Sequence, residues 1–310
     1  MLTSFFGKSA TINYLLLALL IPATLITKGL NDPDINLQAS TLAYGALVIL
    51  LMVLAFLLYD FILRKNKLTQ SNTYGALLFS SFLLTHYQND NIEIYFALIG
   101  ALLFYRRIYS LTNEAAIEKK IWDAGFWVFV LALIYPWALF LLAPLAIAIG
   151  SLNQFSWRFA VIPFLAGIAV TMLTLAYAAM DPDMGFVLAL LPLAKSTPLV
   201  WHWPEQTWLI ALFGVGCFAV ILGAWRLTKS RQDASRASRT HIQWTLYMAA
   251  LGLVIMGLNT SSPYAVFLLL VAPQVTIILV SVLEGQRNRV VKELMILGIL
   301  LLPIIEFLLK

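Results

Sequence analysis

The sequence predicts an all-α fold, a polytopic transmembrane helical bundle of about eleven membrane segments that include short paired helices, and three observations carry that expectation. Of 310 residues, 61% are hydrophobic and 11% charged, with a mean hydropathy of +0.88, a composition foreign to soluble domains. Apolar runs recur from "TINYLLLALLIPATLI" to "LMILGILLLPIIEFLL", each edged by polar or turn residues, as membrane spans require. Lysine and arginine, finally, gather in alternate loops.

Taken in order, the segments run over about 12–27, 41–63, 73–87, 93–107, 122–135, 137–150, 159–180, 205–226, 242–259, 264–283 and 292–309. The first follows a single Lys8 and lacks a small-x-small cleavage site, so a retained signal anchor is expected rather than a removed signal peptide. The second closes on Arg64, Lys65 and Lys67. The third and fourth are short, and the fourth ends at Arg106 and Arg107. The stretch "WDAGFWVFVLALIYPWALFLLAPLAIAIG" reads either as one long helix or as a pair. Tyr135-Pro136 supplies a break, since proline lacks a donor and pushes its predecessor out of the helical region. A single crossing would also put the basic run "RLTKSRQDASRASR" outside, so two crossings are expected. Each half is about 14 residues, on the order of 21 Å of helix. Such short hairpins need protein around them, which leaves room for a cavity. The single cysteine, Cys217, lies in the eighth segment, which excludes an intrachain disulfide and argues against a cysteine metal site. One integral membrane domain spans 1–310, with a first half at 1–180, an outer interfacial segment at 181–204 and C-terminal helices at 205–310.

With the N-terminus in the cytoplasm, seventeen of the twenty lysines and arginines fall on the inner face, leaving Lys28, Lys195 and Lys310 outside. The net charge of +5 is thereby explained by orientation, and no nucleic-acid partner is expected. Asp32, Asp34, Asp90, Glu93, Asp181, Asp183 and Glu205 all fall on the outer face. The longest outer loop, about 181–204, is apolar and ends in "LVWHWPEQ", as expected of a segment lying on the bilayer among membrane lipids.

Asp-Pro-Asp occurs twice, at 32–34 and 181–183. Helix capping explains both copies: aspartate at the N-cap, proline at the first helical position, and a second carboxylate near the positive dipole end. At 32–34 the next helix could equally start at Gln38 or Ser40, which would leave the carboxylates in a loop. Asp60 with Arg64, Asp123 with Lys119 and Glu306 with Lys310 stand four apart and read as helix-face ion pairs. His86, His202 and His241 show no metal-ligand spacing. "GVGCFA" matches a loose dinucleotide fingerprint, but inside an apolar helix it reads as small-residue packing. The basic loop 226–240 is explained by orientation, with a protein partner or anionic lipid as the functional alternative.

The stretches "SFFGKSATINYLLL", "RKNKLTQSNTYG" and "DAGFWVFVLALIYPWAL" resemble a family of multi-pass inner-membrane proteins of the Bacteroidota, a resemblance that implies location and no activity. An outer carboxylate loop after the first helix, then "LLFSSFLLTHYQNDNIEIYFALIGALLFYRR" and the 122–150 pair, is similar in order to the polyprenyl-phosphate-sugar-dependent glycosyltransferases of the GT-C superfamily. That similarity covers roughly residues 10–180. It implies Asp32 and Asp34 at the catalytic-base position, and Asp90 and Glu93 as a second acidic site near the acceptor or a divalent cation. The chain is shorter than typical members and lacks the soluble C-terminal domain of many. A departing phosphate needs cationic or hydrogen-bonding stabilisation, and Lys195, His202, Lys28 and His86 are the outer candidates. The competing expectation is a non-enzymatic membrane scaffold or complex subunit.

Overall fold

The computed structural model describes residues 5–30, 39–85, 91–113, 115–152, 155–180, 207–229, 236–258, 263–286 and 288–301. Among these residues there is no strand, and the helices are α1 (Thr11–Leu30), α2 (Ala39–Lys65), α3 (Tyr74–Thr85), α4 (Ile92–Ser110), α5 (Ile117–Ile134), α6 (Leu142–Gly150, entered by a 3-10 turn at Pro136–Leu141), α7 (Trp157–Ala178), α8 (Thr207–Lys229), α9 (Arg236–Leu258), α10 (Pro263–Gly285) and α11 (Arg289–Leu300). Four stretches, Thr41–Lys65, Trp157–Ala178, Ser238–Leu258 and Pro263–Gly285, are long and apolar enough to cross a membrane. Shorter apolar helices are found at Thr11–Thr24, Tyr74–Leu84, Pro136–Gly150 and Leu209–Trp225. Several of these exteriors are greasy: on α7, Phe164, Ile168, Met172 and Leu173 all stand exposed, as they must where the surroundings are hydrocarbon rather than water.

Side-chain pairings fix the direction of each helix. Tyr105 and Tyr109 of α4 meet Leu269 and Gln274 of α10 in the same order, so these two run parallel. Gly216 and Gly223 of α8 meet Val271 and Ile278, again parallel. Gly75 and Phe82 of α3 meet Val280 and Phe267, which is antiparallel. On α5 and α7, Gly125 faces Pro163 and Phe129 faces Gly167, so those helices point the same way. The chain between them must therefore turn back, as expected of the Tyr135-Pro136 break. Tyr135 is extended (φ −128°, ψ 102°), and Pro136 opens the 3-10 turn. Direction thus alternates along the chain, and Arg64, Lys67, Arg107, Lys120, Arg158, Arg239, Arg289 and Lys292 collect at one end, here called the basic end.

The centre is α10. A window of it is 89% buried, against 28% for α7. Its interior carries a π-turn at Phe267–Val271 followed by Pro273, and proline supplies no N–H to the preceding turn. The Tyr105 hydroxyl donates to the Leu269 carbonyl at 2.8 Å, and Tyr59 of α2 donates to the Pro273 carbonyl at 2.8 Å. Tyr109 donates to Gln274 Oε1 at 2.6 Å and contacts Thr245 Oγ1 of α9 at 2.8 Å. In a dry interior, hydroxyls of this kind satisfy backbone and amide groups that have no water to turn to.

The helix ends correct the sequence reading in places. The segment expected at 122–135 begins at Ile117, and the one at 242–259 begins at Arg236. In both cases charged residues continue the helix beyond its apolar part. Asp60 pairs with Arg64 at 2.7 Å as expected. Asp123 does not use Lys119: its partner is Arg107 of α4. The antiparallel α4–α5 contact brings a guanidinium across, and its planar fork suits a carboxylate better than a lysine on the same helix. Lys120 turns instead to the carbonyls of Ser110 and Asn113, closing the C-terminus of α4. Burial, and then the nearby Arg107 charge, hold the Lys120 ammonium below the usual lysine range.

Candidate functional site

Of the site expected from sequence, the described residues include Lys28 and Glu93. Asp32, Asp34, His86, Asp90, Lys195 and His202 lie outside the described residues, as do both Asp-Pro-Asp motifs and Glu306. Lys28 sits in the last turn of α1. Glu93 is exposed in the first turn of α4, where a carboxylate meets unpaired helix N–H groups.

What surrounds Glu93 can be built residue by residue. The backbone N–H of Ile92 donates to the Tyr44 hydroxyl at 3.1 Å, which ties the start of α4 to the start of α2. These are the helices entered directly after Asp90 and after Asp32 and Asp34. Asn91, at the N-cap of α4, makes no side-chain cap bond, and Tyr44 takes one of the first-turn N–H groups that have no partner within the helix. On the neighbouring α5–α6 connection, Tyr135 and Trp137 stack with ring centroids 5.1 Å apart and an interplanar angle of 23°. Both residues are 8% exposed. The Tyr135 hydroxyl and Trp137 Nε1 have no hydrogen-bond partner among the described residues.

An unpartnered buried donor costs about 1–3 kcal/mol, and a native structure keeps two of them side by side only where something polar completes them. The stacked pair offers a phenol that donates or accepts and an indole that only donates. That set matches vicinal hydroxyl groups. Sequence reading included Glu93 but missed Tyr44, Tyr135 and Trp137. "YPW" was visible as a chain break and as anchoring aromatics, and nothing local shows that its two polar atoms would be buried without partners.

Among the described residues no three His, Cys, Asp or Glu side chains come together as metal ligands. His241, one of the scattered histidines, is buried at the basic end against α4 rather than near Glu93. Gly216 of the "GVGCFA" stretch has Leu253 and Val271 against it, the helix-packing role expected of it. No protein-family model, curated protein or solved structure matches the chain.

Proposed function

We propose that the chain is a glycosyltransferase-like protein of a bacterial inner membrane, crossing it about eleven times with the N-terminus and the basic end in the cytoplasm. In this reading it transfers a sugar from a polyprenyl-phosphate donor at the outer face. The observation that carries it is the Tyr44–Ile92 hydrogen bond, because it joins the helices that follow the two acidic segments. The resemblance of residues 10–180 to the GT-C superfamily points the same way, as does the concentration of basic residues at the other end.

The donor's tail stays in the bilayer and its sugar stands at the outer surface. Asp32 or Asp34 accepts the proton of the acceptor hydroxyl as that oxygen attacks the anomeric carbon. Asp90 and Glu93 form the acceptor side or hold a divalent cation. Lys195, His202, Lys28 and His86 meet the departing phosphate. Direct displacement inverts the anomeric centre. The Tyr135 hydroxyl and the Trp137 indole hold sugar hydroxyls.

Purified protein in lipid nanodiscs, given a radiolabelled polyprenyl-phosphate sugar, tests this. Turnover or binding is expected in the wild type, and turnover is lost in the Asp32→Asn, Asp34→Asn double variant while the thermal midpoint holds. Full activity in that variant removes the base. Absence of both binding and turnover in the wild type replaces the enzyme with a membrane scaffold.

A further inference from the structure

The basic ends of α2 and α4 carry two cations each, and the four are not used alike. Arg64 pairs with Asp60 at 2.7 Å and lies over the Tyr14 ring of α1. Arg107 pairs with Asp123 of α5. Arg106 and Lys65 pair with no carboxylate among the described residues. The Arg106 guanidinium lies over the Phe61 ring of α2, its carbon 5.2 Å from the ring centroid. That contact engages the face of the group and leaves its in-plane N–H donors without an acceptor among the described residues. Arg106 is half-buried, where unmade hydrogen bonds to a charged group cost more than at an open surface. Lys65 follows Phe61 by one turn and is exposed on the same face of α2.

This guanidinium stands at the foot of an apolar trough. From Phe96 to Arg106, α4 is buried at every position except Phe96, Ile99, Leu103 and Arg106, which form one stripe at helical spacing. Behind the stripe, α4 meets α10 through Tyr105 and Tyr109. On one side stands α5, whose Trp127 and Leu131 come against Gly100. On the other stands α2, which runs parallel to α4 and exposes Leu50, Leu54, Leu57 and Phe61 in a row of its own. The rise from Phe96 to Arg106 is about 15 Å of helix, the depth of one leaflet in a hydrocarbon core of ~30 Å. An apolar row of that length ending in a guanidinium matches an acyl chain that ends in a phosphate, and arginine takes phosphate oxygens two at a time. Two cations with no facing carboxylate favour a headgroup of net negative charge, because the ammonium of a zwitterionic lipid would meet Lys65 with nothing to receive it. We propose that α2, α4 and α5 hold an anionic phospholipid, its acyl chain along the trough, its phosphate on Arg106 and its headgroup beside Lys65.

Native mass spectrometry of the purified full chain, offered dioleoyl-phosphatidylglycerol and dioleoyl-phosphatidylcholine in equal amounts, tests this. A roughly tenfold preference for the glycerol lipid is expected of the wild type. Arg106→Gln should abolish the preference, and Arg106→Lys, which keeps the charge and loses the fork, should retain part of it. Leu103→Trp fills the floor of the trough without touching a charge and should lower retention of the glycerol lipid, a reading that does not depend on how Arg106 variants fold. Arg158→Gln removes a cation of the same end from α7, away from the trough, and should leave the preference unchanged. Thermal midpoints of the lipid-free variants check that they fold. Equal retention of the two lipids by the wild type, a preference surviving in folded Arg106→Gln, or full retention in folded Leu103→Trp overturns the site. An equal loss in Arg158→Gln overturns it as well, being the mark of a diffuse positive field, and so does displacement of the lipid by inorganic phosphate, which would make the ion the ligand.

Discussion

Pro273 removes a donor from the middle of α10, and the Tyr105 hydroxyl, 164 residues away in sequence, donates to Leu269 in the preceding turn. Tyr105→Phe should therefore lower stability by about 1–3 kcal/mol, the cost of an orphaned buried acceptor. Pro273→Ala restores a backbone N–H, so the tyrosine substitution should cost less in that background. A double-mutant cycle followed by thermal unfolding in detergent measures the difference, and strict additivity would count against this account. Tyr135 makes the opposite case. Its hydroxyl is buried without a partner among the described residues, so Tyr135→Phe should leave unfolding stability unchanged or raised, yet reduce sugar-donor affinity severalfold. A variant that loses stability and keeps affinity would make the hydroxyl structural. Both tyrosines were legible in the sequence as aromatic residues of apolar segments. Their roles were not, because each depends on what another helix leaves unsatisfied.

Between elements, the α5–α7 contact is the tightest to read. A Cβ built on Gly125 would lie 2.7 Å from the Cα of Pro163, backbone that cannot rotate aside. Small residues let membrane helices approach to this distance. Gly125→Ala should thus separate the helices and cost about 1–3 kcal/mol, as overpacking does. Gly214→Ala has nothing within 4 Å and should be neutral or gain up to about 1 kcal/mol from helix propensity. Thermal midpoints of the two variants side by side decide the matter; equal effects would contradict the packing argument. The reversal between α5 and α7 was legible, from Tyr135-Pro136 and from the charges that follow. The partner of Asp123 was not, since spacing along one helix says nothing about Arg107 arriving from the next.

At the scale of the whole molecule, alternating helix directions bring the described basic residues other than Lys28 to a common end, in agreement with the loop charges in the sequence. If that end is cytoplasmic, single cysteines placed at Arg158 and Lys67 in a Cys217-free background should resist an impermeant thiol reagent in intact cells. Cysteines at Asp90 and Asp181 should react. Labelling at 158 with protection at 181 would invert the orientation and move the acidic segments away from any outer substrate. The all-helical class, the apolar spans and the sorting of charge among the described residues were written in composition and periodicity, which act locally. The polar centre was not, because it forms only when α2, α4, α9 and α10 close on one another. The burial of α10 has a consequence for biosynthesis. Helices α1 to α9 leave the ribosome before it, so during that interval the hydroxyls of Tyr59, Tyr105 and Tyr109 have no α10 to meet and the middle of the bundle must hold lipid or water. A nascent chain stalled before residue 263 is then an unfinished shell with a polar lining, the kind of surface that membrane chaperones hold and membrane proteases degrade.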